Sequence, residues 1–355
     1  MKIITIIGAR PQFIKAAAVS REFAKHPGIE EIIIHTGQHF DSNMSDIFFD
    51  EMQIPRPKYH LQIHSLSHGA MTGQMMEKIE SILLEEKPDW VMVYGDTNTT
   101  LAGALAAKKL HIRVAHVEAG LRSFNMKMPE EINRILTDRI SDLLFCPTDK
   151  AIENLNKEGF SNFNAKIVKN GDVMQDTALF YSPMAKKPDI NTEQAFILAT
   201  IHRAENTDKQ ENLSNIFDAF NMISNDIPLV LPLHPRTKAL ITKYGIKTNP
   251  GIHLIEPQGY LQMVYLLQHC IMVMTDSGGL QKEAFFFEKK CLTLRPETEW
   301  VELVEKGFNI LCGTKPQDIL NAFNKMKGLC PDFSVNLYGN GKASEIIAKT
   351  LTDTI

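Results

Sequence analysis

The chain has 355 residues, 44% hydrophobic and 23% charged, a size and balance that suit a soluble globular protein of two domains, each burying its own core. A formal charge of −4 gives no general attraction to nucleic acid or to an anionic membrane surface. The five cysteines (Cys146, Cys270, Cys291, Cys312, Cys330) are odd in number, scattered and never spaced CxxC, which speaks for reduced thiols in a cytoplasmic protein and against disulfides or structural zinc.

The first apolar run, Ile3–Ile7, is too short for a signal peptide, lacks a small-residue cleavage site, and reads as a buried strand. No apolar stretch approaches the ~20 residues needed to cross a bilayer. The turn that follows is Gly8-Ala9-Arg10-Pro11-Gln12-Phe13-Ile14-Lys15. Gly8 permits a tight turn, and Arg10 leaves the strand toward a crevice. Arg10 and Lys15 read equally as cations for a ligand or as a solvated helix start. Neither the dinucleotide fingerprint G-x-G-x-x-G nor the P-loop G-x-x-x-x-G-K is present.

Further runs at Ile32–Ile34, Trp90–Tyr94, Val114–Val117 and Leu143–Phe145 are separated by amphipathic stretches such as Met71–Glu85 and Leu101–Leu110. Strands alternating with helices predict an α/β fold with a parallel, doubly wound sheet, whose ligands bind beyond the carboxyl ends of the strands. Acid–base candidates follow these strands in turn. Asp96 lies in Tyr94-Gly95-Asp96-Thr97, Glu118 in His116-Val117-Glu118-Ala119-Gly120-Leu121-Arg122, and Glu130 and Glu131 open a helix after Pro129, with Arg134 one turn on. Carboxylates gathered at one cleft repel one another, so that one is able to hold a proton near neutrality. Each also has a structural reading: Asp96 as a helix cap, Glu130 and Glu131 as complements to a helix N-terminus. His116 with Glu118, or His35 with His39, are the pairs a metal would use, but no H-E-x-x-H or EF-type spacing occurs and no metal is expected.

Around 184–192 the composition turns polar between Pro183 and Pro188 and reads as a linker. The alternation then restarts with Phe196–Ala199, Leu229–Leu231, Ile252–Ile255, Ile271–Met274 and Cys291–Leu294. His202 follows the first of these, as a catalytic group or an ordinary hydrogen-bonded histidine. Asp276-Ser277-Gly278-Gly279 follows the fourth and opens a helix, so unpaired N–H groups there favour a phosphate. Ser277 adds a hydroxyl, and Glu283 is placed to accept from sugar hydroxyls. A capped, ligand-free helix start is the alternative. A last helix, Lys342–Leu351, follows Gly339-Asn340-Gly341 and is expected to fold back onto the first domain. The resulting division is 1–182, 183–340 and a returning segment 341–355.

Five signatures, Gly8-Ala9-Arg10-Pro11, Gly95-Asp96-Thr97, His116-Val117-Glu118-Ala119-Gly120-Leu121-Arg122, Pro129-Glu130-Glu131-Ile132-Asn133-Arg134 and Asp276-Ser277-Gly278-Gly279, occur in an order and spacing that resemble the non-hydrolysing UDP-N-acetylglucosamine 2-epimerases along almost the whole chain. The resemblance implies two Rossmann-like domains facing a cleft, GT-B-like, usually as a homodimer. It implies catalytic roles for Asp96, Glu118, Glu130 and His202. Arg10, Lys15 and Arg134 fall around the diphosphate and sugar, and Ser277, Gly278, Gly279 and Glu283 on the nucleotide and sugar-ring side. Two positions depart from the family pattern: Thr298-Glu299-Trp300-Val301-Glu302 stands for Thr-Glu-Arg-Pro-Glu, and Arg203-Ala204-Glu205 for Arg-Arg-Glu. Trp300, with Gly171-Asp172-Val173-Met174 and Ala284-Phe285-Phe286-Phe287, is more similar to the branch acting on UDP-2,3-diacetamido-2,3-dideoxy-glucuronate.

The implied activity interconverts UDP-GlcNAc- and UDP-ManNAc-type sugars for surface polysaccharide precursors such as those of lipopolysaccharide, or does the same to the diacetamido uronate. No carbonyl acidifies the C2 proton of such a sugar, so inversion needs either a nicotinamide or loss of the nucleotide. Without the dinucleotide fingerprint, elimination and re-addition of UDP through a 2-acetamidoglucal is expected, with no cofactor. Rival readings are a GT-B glycosyltransferase, a hydrolysing 2-epimerase and a non-catalytic nucleotide-sugar sensor.

Overall fold

A computed structural model of the chain describes residues 1–38, 49, 51–190 and 194–354. These divide into two compact units, Met1–Leu179 with Asn336–Ile355, and Phe180–Val335.

In the first unit the described residues form a sheet of β1 (Lys2–Ile7), β2 (Glu30–His35), β3 (Tyr59–His60), β4 (Trp90–Tyr94), β5 (Arg113–Val117), β6 (Leu143–Cys146) and β7 (Lys166–Lys169). Their order is β3-β2-β1-β4-β5-β6-β7, every pairing parallel. The runs are nearly continuous in Ile and Val because helices such as His68–Glu86 and Asn98–Lys109 cover the sheet, burying both faces of its central strands. The order reverses direction between β1 and β4, so the loops leaving those two strands open at the switch point.

The second unit repeats the plan with β8 (Ile197–Thr200), β9 (Leu229–Pro232), β10 (Ile252–Ile255), β11 (Met272–Thr275), β12 (Lys290–Thr293) and β13 (Asn309–Leu311), in the order β10-β9-β8-β11-β12-β13. Its switch point lies between β8 and β11, where the His202 and Asp276-Ser277 loops emerge. Both sheets are thus the doubly wound, parallel kind that the alternation of runs predicts. The runs did not announce β3, β7 or β13.

The stretch 184–192 belongs to the second unit as far as residue 190, where Lys186 N–H donates to Leu261 O (3.1 Å); residues 191 and 192 lie outside the described residues. At the other end the helix Ala343–Thr352 returns to the first unit and packs on the helix Arg10–Phe23. Asp176 caps it, accepting from Ala343 N (3.1 Å), Ser344 N (2.7 Å) and Ser344 Oγ (2.6 Å).

Candidate active site

The β1 and β4 loops interlock before any ligand is considered. A Cβ on Gly8 would lie 1.9 Å from Thr36 Oγ1 and 2.6 Å from Thr99 Oγ1, so the turn admits only glycine. Gln12, fully buried, accepts from Gly8 N (2.8 Å) and Ala9 N (3.0 Å) and donates to Tyr94 O (3.0 Å) and Thr100 Oγ1 (3.1 Å). Gln12 therefore ties the two switch-point loops together. Sequence reading passed it over inside Gly8–Lys15.

Three ion pairs stand near the loop that leaves β4 at Gly95 and Asp96. Lys15, buried on the helix Arg10–Phe23, pairs with Glu118. Arg134, also buried, pairs through Nη2 with Asp96 and through Nη1 with Glu131 Oε2 (2.7 Å). Gly95, at φ +65°, is the floor between the Lys15–Glu118 pair and the sheet: a Cβ there would lie 3.0 Å from Lys15 Nζ and 3.2 Å from Glu118 Oε2. Glu118 itself takes a positive φ of 74°, a conformation rare outside glycine and concentrated at functional sites. Arg10 sits half-buried at the first position of its helix.

The structural readings resolve individually. Asp96 does not cap the following helix; Thr97 does, its hydroxyl accepting from Thr100 N (3.3 Å). The Asp96 side chain stays part-exposed and faces Arg134. Of the two glutamates after Pro129, Glu131 is the one drawn into the cluster. It is fully buried and accepts from Ser123 N (2.9 Å), Ser123 Oγ (3.0 Å) and Phe124 N (2.9 Å). Glu130 is half-buried in the same first turn, outside that network.

At the second switch point Asp276, fully buried, organises the histidine loop. It accepts from His202 N (3.2 Å), Arg203 N (3.0 Å) and Asn206 Nδ2 (3.1 Å), and lies 3.3 Å from His202 Nδ1. The His202 side chain is half exposed. Ser277 is the N-cap of the helix Gly278–Phe286, accepting from Leu280 N (3.4 Å). Around the Cβ direction of Gly278 lie Arg203 Nη2 (3.7 Å), Glu299 Oε2 (3.8 Å) and Trp300 Nε1 (3.8 Å). A helix start whose Ser277 cap accepts only from Leu280 N, beside a guanidinium shared with Glu299 and an indole N–H, is a place where an anion could be held. Gly279 and Glu283 belong to the same first turns, Glu283 buried.

The other two marks of the uronate branch have structural work. Asp172 N–H donates to Tyr338 O (2.8 Å) and Asp172 Oδ1 accepts from Met174 N (2.8 Å), seating the returning C-terminal segment. Phe285 packs edge-on to Phe308 (4.7 Å) and against Phe333 (6.0 Å). Trp300 alone of the three borders the Ser277–Gly279 turn. Its ring carries the Lys282 ammonium 4.0 Å from its centroid.

Among the described residues no three His, Cys, Asp or Glu side chains are grouped to hold a metal ion. His39 lies outside the described residues. The thiols of Cys146, Cys270, Cys291 and Cys312 are raised by burial, Cys270 to about 12, which leaves them unreactive.

Known proteins match the chain along almost its whole length. The family model described as UDP-N-acetylglucosamine 2-epimerase matches residues 21–352. A UDP-2,3-diacetamido-2,3-dideoxy-D-glucuronate 2-epimerase of Pseudomonas aeruginosa is 56% identical over 353 residues, 99% of each chain. The crystal structure of Methanocaldococcus jannaschii UDP-GlcNAc 2-epimerase in complex with UDP-GlcNAc and UDP is 44% identical, with a TM-score of 0.92 over 99% of this chain and 100% of that one. The Neisseria meningitidis UDP-GlcNAc 2-epimerase bound to UDP-GlcNAc is 34% identical, with a TM-score of 0.90 over 99% and 100%. The two Rossmann-like units are accordingly of the GT-B-like class.

Proposed function

The chain belongs to the UDP-N-acetylglucosamine 2-epimerase family, and from that premise we propose that it inverts C2 of a UDP-linked 2-acetamido sugar by releasing and recapturing UDP. A base removes the C2 proton while the C1–O bond to the diphosphate breaks. The C–H electron pair becomes the C1=C2 double bond of a 2-acetamidoglucal, and UDP leaves with the C1–O pair. On return, a diphosphate oxygen attacks C1 and a proton reaches C2 from the opposite face, giving the manno epimer.

The observation that carries this reading is the pairing of Lys15 with Glu118 and of Arg134 with Asp96 around one glycine turn. Inversion needs an acid and a base, and departure of a diphosphate needs cations; this turn holds both kinds of group. Asp96 and Glu118 divide the taking and giving of the C2 proton, with Glu130 and His202 assisting. Arg10, Lys15 and Arg134 serve the diphosphate and sugar. Ser277, Gly278 and Gly279 hold the phosphate at their helix start, and Glu283 takes sugar hydroxyls. The first turn, lacking G-x-G-x-x-G, supports a reaction without nicotinamide.

Between the two sugars, the 2,3-diacetamido uronate is favoured by the 56% identity to the Pseudomonas enzyme named for it, and by Trp300 beside Gly278. Supply of surface polysaccharide precursors such as those of lipopolysaccharide, a cytoplasmic site and a homodimer complete the proposal on family resemblance. Among the described residues no helix is long and apolar enough to cross a membrane.

The test is parallel incubation with UDP-GlcNAc and with the uronate in heavy water, without any acceptor. The expected result is a gluco–manno mixture carrying deuterium at C2, faster with the uronate. An unchanged sugar returns the chain to the glycosyltransferase or sensor readings. Inverted sugar without deuterium rules out elimination, and free UDP in step with product points to hydrolysis.

A further inference from the structure

Beneath the proposed acid–base cluster lies a histidine that the reaction does not use. His116, on β5, is wholly buried. Its Nδ1 lies 2.7 Å from Asp138 Oδ1 and its Nε2 lies 2.7 Å from Gly95 O. A backbone carbonyl only accepts. Asp138 is a carboxylate: burial acts to raise it, but the hydrogen bond and charge of His116 and the Arg122 guanidinium outweigh burial and hold it below the ordinary value. Its other oxygen accepts from Arg122 Nη1 (2.7 Å) and Gly120 N (3.1 Å). With an acceptor at each end, both ring nitrogens must donate.

The contact at Gly95 is placed where it matters to Asp96. Gly95 N–H donates to Val117 O (3.0 Å) and Gly95 O accepts from His116, so both sides of this glycine are pinned to β5. Because a peptide is planar, fixing Gly95 O fixes the amide that starts Asp96. The peptide leaving Asp96 is held in turn by Asn133 Nδ2 on Asp96 O (2.9 Å). Asp96 is thereby clamped before and behind. Glu118 stands two residues beyond His116 on the same chain, with its N–H on Phe145 O (3.1 Å).

We propose that His116, doubly protonated and oriented by Asp138, is the positioning residue that sets Asp96 and Glu118 against each other across the Gly95 turn. The proposal rests on the epimerase reading of that turn. It excludes a metal-ligand role for His116, since both ring nitrogens are engaged.

Two conservative variants separate positioning from mere packing. H116Q places an amide donor near the Nε2 position and keeps a bond to Gly95 O; H116N places one near Nδ1, keeps Asp138 and releases Gly95. In H116N, kcat for C2 deuterium exchange falls about 100-fold, as expected when a catalytic group shifts by about an ångström, with KM unchanged. H116Q stays within about fivefold of wild type even if it melts no higher than H116N. In the nitrogen-15 spectrum of wild type, both His116 ring nitrogens carry a proton. Equal rates in the two variants, rates that simply follow their melting temperatures, a loss expressed in KM, or one bare ring nitrogen each overturn the proposal. Wild-type protein that exchanges no C2 proton while its His116 ring is doubly protonated overturns the epimerase reading and the catalytic purpose of the clamp together, leaving only the clamp's structure.

Discussion

At the scale of single residues, the site joins carboxylates to cations rather than leaving them facing one another. Asp96 and Glu118 each rest on one cation, Arg134 and Lys15. Replacing Asp96 by Asn or Glu118 by Gln preserves shape and removes a proton-transfer group, so kcat should fall about 10²- to 10⁴-fold. UDP affinity, measured by calorimetry, should stay nearly constant; a variant turning over at close to the wild-type rate has been assigned the wrong role. Glu31 illustrates a carboxyl governed by burial instead. Desolvation raises it to about 6 against a hydrogen bond from Thr5 Oγ1 (2.5 Å). With a folded pKa above the unfolded 4.5, its stabilising share is complete below about pH 4.5 and is lost as pH rises through about 6. Relative to wild type, E31Q should therefore gain up to roughly 2 kcal/mol between pH 4.5 and 7 in urea titrations. A pH-independent difference would remove burial as the cause. Which carboxylate meets which cation was not legible in the sequence. Glu130 and Glu131 are adjacent and equivalent on paper, and only the helix phase turns Glu131 into the interior toward Arg134 and Ser123. Gln12 and Asp138 were equally invisible, because their partners lie 82 and 22 residues away.

At the scale of elements, the strands announced by unbroken apolar runs are mostly buried ones, such as β4 and β11, with the half-exposed edge strand β10 the exception. The strands that went unread are short or lie at sheet edges. β7 is Lys-Ile-Val-Lys with its ends in solvent, and β3 is two residues long. Such strands bury one face or less, so no hydrophobic run marks them. Caps were legible only as candidates. Thr97 and Ser277 cap their own helices, whereas the returning helix Ala343–Thr352 has no side-chain cap of its own and borrows Asp176 from 167 residues earlier. Three hydrogen bonds converge on that carboxylate. Asp176→Ala should cost about 2 kcal/mol in the first unit by calorimetry, the upper range for a cap. A cost within error of zero would mean that the helix is seated by its apolar face alone.

At the scale of the whole chain, its two ends meet in the first unit. The helix carrying Arg10 and Lys15 is covered by the last helix, whose Ile347, Ala348 and Leu351 are completely buried. The first and last segments therefore fold as one structure, although most of the chain's strands and helices lie between them in sequence. Burial of an Ile or Leu side chain contributes roughly 1.5–3 kcal/mol, so the last helix contributes several times the thermal energy to holding Lys15 beside Glu118. A chain ending at Val335 should keep the second unit, whose core from Ile197 to Met326 is untouched by the cut. Its first unit should melt earlier and be nicked first by protease, while C2 exchange falls with the loosened Lys15 helix. The truncated chain should still bind UDP through the Ser277–Gly279 turn, though more weakly than the intact protein. If it exchanged the C2 proton at the full rate, the returning helix would have no part in holding the cations, and Lys15 would be fixed by its ion pair with Glu118 alone.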